Sequence, residues 1–301
     1  MSEPQVDTIK IGELNCWRIS SDDAELTISQ QGAQVIAYQR KGQQPLIWSN
    51  PDAVFKQGTA VRGGVPVCWP WFGNLARNPQ AVQAEYRAAD AAPSHGLVRA
   101  LDWALLGIEQ TQHGLQAQFT ATAAAEGKLA GWPHKVAVTL TVLLNDTLRL
   151  SLTSRNLGTE AVTLSQALHS YFAVSDVRQV RVEGLDGLTY IETLDGWQSR
   201  AQQGDLHFAS ETDRIYLNTP QTLSFVDAAW QRRVVLTSSR SHTAVVWNPW
   251  IDRAAQLSDM ADDGWQGMLC IETANVWDDV VSLAPGAEHS MSITIDSQPL
   301  D

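Results

Sequence analysis

The chain has 301 residues and a formal net charge of -12 at neutral pH. A field of that sign repels nucleic acid and anionic lipid, so an anion site must be built from local arginines. Hydrophobic residues make up 44% and charged residues 18%, a balance typical of a globular protein with a sizeable core. The length could hold two average domains or one large β domain. Because no repeat, linker or charge run marks a boundary, we predict a single domain over residues 1–301.

The three cysteines, Cys16, Cys68 and Cys270, are widely spaced and form no CxxC pair. This pattern argues against a disulfide framework and a zinc knuckle, and favours reduced thiols in a cytoplasmic protein. The N-terminus has neither the basic start nor the apolar run of a secretory signal. Since no stretch is apolar enough to cross a bilayer, we expect a cytoplasmic protein without a membrane partner.

Short alternating runs predict β-strands along most of the chain. The clearest is a hairpin over 135–152, interrupted by Asn145-Asp146, because these two residues tolerate left-handed backbone. Other strands are predicted at 24–29, 34–39, 114–122, 179–183, 222–226, 233–237, 243–247 and 290–295. No convincing amphipathic helix of ten or more residues interrupts them. The pattern predicts an all-β protein built as a large antiparallel β-sandwich.

Four segments break the alternation and concentrate Gly, Pro, Trp, His and Arg: 62–74, 93–99, 166–176 and 247–277. Irregular segments carried on a rigid sheet are where functional sites usually lie. Several of the twelve tryptophans lie in or beside these segments. Their rings could stack on a pyranose or could simply fill the core.

The first two segments each contain an arginine and at least one glycine. Gly63 and Gly64 would allow a ligand to approach the backbone, and Arg62 could then fork onto a phosphate; a structural turn with a surface arginine is the alternative. His95 and Arg99 are four residues apart, a spacing that puts both on one face of an extended chain. Taken alone, this His-Gly pair favours a structural role.

The last two segments each place one polar side chain in an apolar run. His169 lies among apolar and aromatic residues that predict a buried strand, so it must either be satisfied in the core or line a cavity. Glu272 lies inside the hydrophobic run 268–276, where a buried carboxylate is costly unless it is paired or functional. Glu272 is the strongest single-residue anomaly in the chain.

The sequence lacks the motifs of several other kinds of functional site. The seven histidines include no HxH, HExxH or H-x3-H pair, and the cysteines have no neighbours at zinc spacing. The run that begins at Arg62 lacks the lysine and serine or threonine of a P-loop. No GxSxG elbow of a serine hydrolase is present. We therefore predict no metal and no cofactor.

Taken together, five motifs resemble the glucose-6-phosphate 1-epimerase family, a branch of the aldose 1-epimerase (galactose mutarotase-like) superfamily. They are RGGVPVCWPWFG, SHGLVR, LHSYF, WNPW with the following Ser258-Asp259-Met260, and CIETANV. Each is weak alone, but their order and spacing are specific, and the match spans about residues 24–295.

The resemblance implies a β-supersandwich that interconverts the α and β anomers of a hexose 6-phosphate without a cofactor. It assigns the general acid to His169 and the general base to Glu272. It assigns sugar binding to His95 and Asp213, and phosphate binding to Arg62 and Arg99. Arg253 stands where family members often have a lysine, which leaves substrate breadth open.

Two alternatives remain open from the sequence. The first is an epimerase for free glucose or galactose, which two arginines in candidate loops disfavour because a neutral sugar needs no guanidinium pair. The second is a carbohydrate-binding protein without catalysis, since fold does not dictate function. The absence of a heptad or an obvious apolar edge predicts a monomer.

Overall fold

Strands form most of the regular structure in the computed structural model, which describes residues 5–300. In the first half of the chain they are β1 (Gln5–Ile11), β2 (Leu14–Ser20), β3 (Ala24–Ser29), β4 (Val35–Arg40), β5 (Val67–Cys68), β6 (Ala104–Thr111), β7 (Gly114–Thr120), β8 (Val136–Leu144) and β9 (Leu148–Asn156). In the second half they are β10 (Val162–Leu164), β11 (Gln166–Leu168), β12 (Tyr171–Ala173), β13 (Val180–Glu183), β14 (Thr189–Glu192), β15 (Gln198–Ala201), β16 (Leu206–His207), β17 (Thr212–Leu217), β18 (Thr222–Asp227), β19 (Arg232–Ser239), β20 (Thr243–Asn248), β21 (Met268–Asn275), β22 (Val281–Leu283) and β23 (Glu288–Pro299).

Two large antiparallel sheets dominate the architecture. The nine-stranded sheet has the order β16-β13-β18-β19-β23-β9-β8-β7-β6. The eight-stranded sheet has the order β15-β14-β17-β20-β21-β11-β5, and β12 also pairs with β21. The strands β1 to β4 form a four-stranded sheet, and β10 pairs with β22. The predicted antiparallel β-sandwich is confirmed.

Alternating burial follows from the alternating sequence. In β8 every second residue is buried, from Val136 to Leu144, and β9 repeats the pattern. The strands pair from Val136 opposite Asn156 to Leu144 opposite Leu148. Asn145 Oδ1 accepts a hydrogen bond from the Thr147 amide at 2.8 Å and so stabilises the turn. The hairpin predicted at 135–152 is confirmed.

The two large sheets bury one hydrophobic cluster between them. Phe172 on β12 packs against Phe225 on β18, with ring centroids 5.4 Å apart. Trp69 donates from Nε1 to Ser154 Oγ on β9 at 3.1 Å, which satisfies the polar atom of a buried indole. These contacts fix the position of the eight-stranded sheet on the nine-stranded one. They therefore also fix the position of the side chains on the outer face of the eight-stranded sheet.

Helices are few and short. They are α1 (Gln80–Gln83), α2 (Thr122–Ala125) and α3 (Trp250–Ala254). Within residues 5–300, no helix is both long enough and apolar enough to cross a bilayer.

Phe225→Ala tests how strongly the two sheets depend on their shared core. Phe225 is fully buried, so removing its ring leaves a cavity, and we expect the free energy of unfolding to fall by about 3–5 kcal/mol. Urea unfolding followed by circular dichroism measures the loss. The control is Leu106→Ala on β6, where the side chain is 58% exposed, and the change should stay within about 0.5 kcal/mol. Equal losses in the two variants would contradict this account of the core.

Candidate active site

Three neighbouring strands present polar and apolar side chains on the outer face of the eight-stranded sheet. Ile215 on β17 pairs with Val245 on β20, and Val245 pairs with Glu272 on β21. Asp213 pairs with Trp247 one step along the same strands. Because paired residues, and residues two apart, share one face of a sheet, these five side chains point the same way. The residues between them face the core.

His169 lies in a two-residue break between β11 and β12. Both strands pair with β21, β11 ending opposite Thr273 and β12 beginning opposite Cys270. The His169 amide donates to Pro66 O at 3.0 Å, so the break is itself hydrogen-bonded. His169 Nε2 thereby lies 3.4 Å from Glu272 Oε1. The segment is buried as predicted, but the expectation that His169 lies within a continuous strand is wrong.

A cavity of about 600 Å³ opens over this pair. All six candidate residues from the sequence lie on its wall: Arg62, His95, Arg99, His169, Asp213 and Glu272. The fold therefore brings together side chains that are as far as 210 positions apart in the chain, from residue 62 to residue 272.

Arg62 is anchored at the cavity wall. Its Nε donates to Asp259 Oδ1 at 2.7 Å. The neighbouring Gly64 has a φ of 68°, and a Cβ there would lie 2.2 Å from Val35 O. The glycine thus permits a close approach of the chain to the backbone of β4.

His95 and Arg99 both reach the cavity, although not by the predicted route. His95 has a φ of 62° and Gly96 a φ of 81°, so the chain turns sharply instead of extending. A Cβ at Gly96 would lie 2.0 Å from Trp69 O, which requires glycine there. Arg99 Nη2 donates to Ser94 O at 3.3 Å, and no carboxylate in the described chain lies within 4.0 Å of its guanidinium.

Burial sets the electrostatics of the central pair. It raises the pKa of Glu272 well above its usual value, assisted by the charge of Asp213. It lowers the pKa of His169 well below its usual value, assisted by His95, Arg99 and Arg62. Among the described residues, His169 Nδ1 and Glu272 Oε2 are buried without a hydrogen-bond partner. Both residues line the cavity, where a ligand can supply the missing hydrogen-bond partners.

Asp213 also has a perturbed carboxyl group. Burial raises the pKa of Asp213 to about 6, although a hydrogen bond from Thr193 partly opposes the shift. The charges of Glu211 and Glu192 act in the same direction as burial. Near neutral pH this carboxyl is therefore close to its titration range.

Several other residues of the cavity wall have no role predicted from the sequence. Arg77 lies with its guanidinium 5.1 Å from the Trp197 ring, and both line the cavity. Tyr171 stacks on His169 with centroids 4.8 Å apart and rings 8° from parallel. The tryptophan-rich segments were the available signal for Trp247, whereas nothing local distinguishes Arg77 from a surface arginine.

The comparisons with known proteins cover nearly the whole chain. The profile of the aldose 1-epimerase family matches residues 15–296. A "Putative glucose-6-phosphate 1-epimerase" of Escherichia coli K12 is 32% identical over 90% of this chain and 86% of its own. A protein of Cenchrus ciliaris with the same description is 33% identical over 89% of this chain and 80% of its own.

Solved structures agree with the family match. The crystal structure of a protein from Salmonella typhimurium, described as a "putative mutarotase", has a TM-score of 0.85 and 26% identity, covering 98% of this chain and 94% of that one. A galactose mutarotase-like protein from Clostridium acetobutylicum has a TM-score of 0.75 at 17% identity, covering 99% of each chain, which supports the fold alone. The fold is that of the galactose mutarotase-like sandwiches. The chain belongs to the aldose 1-epimerase family and is an epimerase.

Asp213→Asn is expected to change how stability depends on pH. The carboxyl has a pKa of about 6 when folded and about 3.9 when unfolded. Between these values the folded state binds more protons, so the free energy of unfolding falls as pH rises, by about 3 kcal/mol in total. Asparagine removes this contribution. Urea unfolding at steps from pH 4 to pH 7 should give a flatter profile for the variant, and parallel profiles would contradict the shifted pKa.

Proposed function

We propose that this enzyme interconverts the α and β anomers of D-glucose 6-phosphate, or of a closely related hexose 6-phosphate, by acid-base ring opening. The observation that carries the proposal is the approach of His169 Nε2 to Glu272 Oε1, at 3.4 Å, on the wall of a cavity that also bears four arginines. The descriptions of the curated relatives support the same substrate class. A cytoplasmic location belongs to this proposal, because all three cysteines are free and buried.

Ring opening requires two proton transfers at the hemiacetal. A base removes the proton of the C1 hydroxyl while an acid protonates the ring oxygen, and the C1–O5 bond breaks. In this proposal Glu272 is the base and His169 the acid. Rotation about the C1–C2 bond and closure on the other face of the carbonyl reverse both transfers. The pair therefore ends each cycle in its starting protonation state.

The phosphate explains how His169 acquires its proton. The protein's own groups favour a neutral His169 and a protonated Glu272, which is the reverse of what ring opening needs. The charges of Arg99 and Arg62 both lower the pKa of His169. A bound phosphate dianion opposes these charges and therefore favours the protonated form of His169. Substrate binding therefore shifts the shared proton toward His169.

The distribution of charge also favours a phosphorylated sugar. The chain carries a net charge of -12, yet the cavity wall bears the arginines Arg62, Arg77, Arg99 and Arg253 against the acids Glu211, Asp213 and Glu272. Burial is the largest cause that raises the pKa of each of these three acids. The ring oxygen and the 6-phosphate are both attached through C5. An acid that serves O5 and arginines that bind the phosphate must therefore lie near one another.

Glu272→Gln tests the catalytic pair. Glutamine preserves the shape of the side chain but cannot take a proton, so we expect a loss of about 10²–10⁴-fold in the exchange rate. Exchange NMR of the α and β anomers of glucose 6-phosphate measures the rate directly. Thr273→Ser is the control for disturbance of the strand, because Thr273 is next to Glu272 in sequence but its side chain lies on the other face of β21. A Glu272→Gln variant that binds the sugar and keeps the accelerated rate of the wild type would overturn the role of Glu272 as base. A wild type that binds the sugar without accelerating exchange would favour a carbohydrate-binding protein instead.

Arg99→Ala tests the phosphate site. Loss of the guanidinium should weaken binding of glucose 6-phosphate by about tenfold or more, as expected for a charge-assisted hydrogen bond. Free glucose should lose little in the same variant. Arg99→Lys keeps the charge but not the planar fork, so an intermediate KM is expected. Equal wild-type rates with glucose and with its 6-phosphate would overturn the phosphate specificity but leave the epimerase activity intact.

Comparing glucose with glucose 6-phosphate also separates the effect of the phosphate on binding from its effect on the protonation of His169. If the phosphate also shifts the shared proton, glucose should have a lower kcat than its 6-phosphate, and not only a higher KM. A difference confined to KM would mean that the phosphate contributes binding alone.

A further inference from the structure

The His95 ring is held by contacts on one of its two nitrogens. The Gly73 amide donates to His95 Nδ1 at 3.3 Å, and Cys68 Sγ lies 3.3 Å from the same nitrogen. In return, the His95 amide donates to Gly73 O at 2.8 Å. Phe72 packs edge-on against the ring, with centroids 5.0 Å apart. The ring therefore has little freedom to turn.

These contacts determine the tautomer of His95. A backbone amide can only donate a hydrogen bond, so the Nδ1 atom that it meets must carry a lone pair. The proton of the neutral ring then resides on Nε2, the nitrogen that these contacts leave unused. Because Nδ1 is an acceptor, the Cys68 thiol beside it must act as a donor.

Charge and burial agree with this arrangement. Burial, together with Arg99 and Arg62, lowers the pKa of His95 to about 3. Burial also raises the pKa of the Cys68 thiol, so the sulfur keeps its proton. The pair is therefore a neutral thiol and a neutral imidazole across the working pH range.

We propose that Cys68 is a positioning residue, whose thiol helps the Gly73 amide hold His95 as a neutral donor with its Nε2–H available to the substrate. A ring fixed in this way donates to a sugar oxygen but neither accepts from a hydroxyl nor supplies a catalytic proton. The acid of the reaction is then His169 alone, although the two rings lie only 5.4 Å apart. The identity of the substrate in this inference rests on the proposed function, but the tautomer of the His95 ring is independent of that function.

Long-range ¹H–¹⁵N NMR of the histidine ring nitrogens in ligand-free protein provides the first test. The wild type should show His95 as the Nε2–H tautomer down to about pH 5. In Cys68→Ala the lone pair of Nδ1 loses one donor, so a fraction of the Nδ1–H tautomer should appear among the neutral rings, and the imidazolium should form at a higher pH. Cys68→Ser retains a donor and should resemble the wild type. Cys16→Ala removes an equally buried thiol outside the cavity and should leave His95 unchanged.

Kinetics provide the second test. We expect kcat/KM of Cys68→Ala to fall about three- to tenfold, as for one lost hydrogen bond, and the acid limb of its pH profile to move upward. Cys68→Ser should recover most of the loss. A purely structural role would lower thermal stability without moving either the ring signals or the acid limb.

The outcomes separate this proposal from the function on which it rests. Identical His95 spectra and identical pH profiles in wild type and Cys68→Ala would overturn the role of Cys68, while normal exchange of glucose 6-phosphate would leave the proposed function intact. Conversely, a shifted tautomer in a protein that accelerates no hexose 6-phosphate would support the role of Cys68 and overturn the substrate.

Discussion

The contact between a buried imidazole and a buried carboxyl group is the feature around which the cavity is organised. Glu272 lies on an unbroken strand whose neighbours are buried, and His169 faces it from a break in the adjoining strands. Taking either group out of water favours its neutral form, so together they retain a single transferable proton. An acid and a base that hold one proton between them suit a reversible reaction in which one proton leaves a substrate oxygen while another arrives.

Charge is distributed unevenly over the molecule, and this asymmetry has a consequence for the substrate. The acidic surface repels anions in general, whereas the arginines of the cavity attract them locally. Arg62 is held by Asp259, which gives it a defined orientation, while within residues 5–300 Arg99 donates only to the backbone carbonyl of Ser94. The ion pair fixes the geometry of Arg62, whereas the charge of Arg99 is not neutralised by a carboxylate. Both properties favour the binding of a phosphate.

The loops around the pair are shaped by backbone constraints more than by side-chain chemistry. His95 adopts a left-handed conformation that is unusual for a residue with a side chain, and Gly96 follows it where any Cβ would strike the Trp69 carbonyl. Strain of this kind persists only where the surroundings enforce it. Here the surroundings include the reciprocal hydrogen bonds between His95 and Gly73, so the backbone that forces the turn also orients the ring.

Local sequence by itself determined the strands with clear alternation, such as β7, β8, β9 and β19, since alternation of side chains dictates which face of a sheet is buried and needs no knowledge of partners. Strands such as β14 to β17 were not predicted from it. Local sequence also identified Glu272, because a carboxylate inside an apolar run is costly wherever that run lies. The family motifs added His169, His95, Asp213, Arg62 and Arg99, and the fold brings all of them to one cavity.

Only the tertiary structure decided how these groups meet. The break that turns His169 toward Glu272 arises from the register of two short strands on β21, and the same stretch of sequence would suit a continuous strand. The shared face expected for His95 and Arg99 assumed an extended chain, whereas the chain turns at His95 and Gly96, where it contacts Trp69 and Gly73. The partner of Arg62 lies 197 residues away, and that of Cys68 lies 27 residues away. Such pairings depend on sheet register and on loop paths, which are set by packing across the whole chain and leave no periodic trace in its sequence.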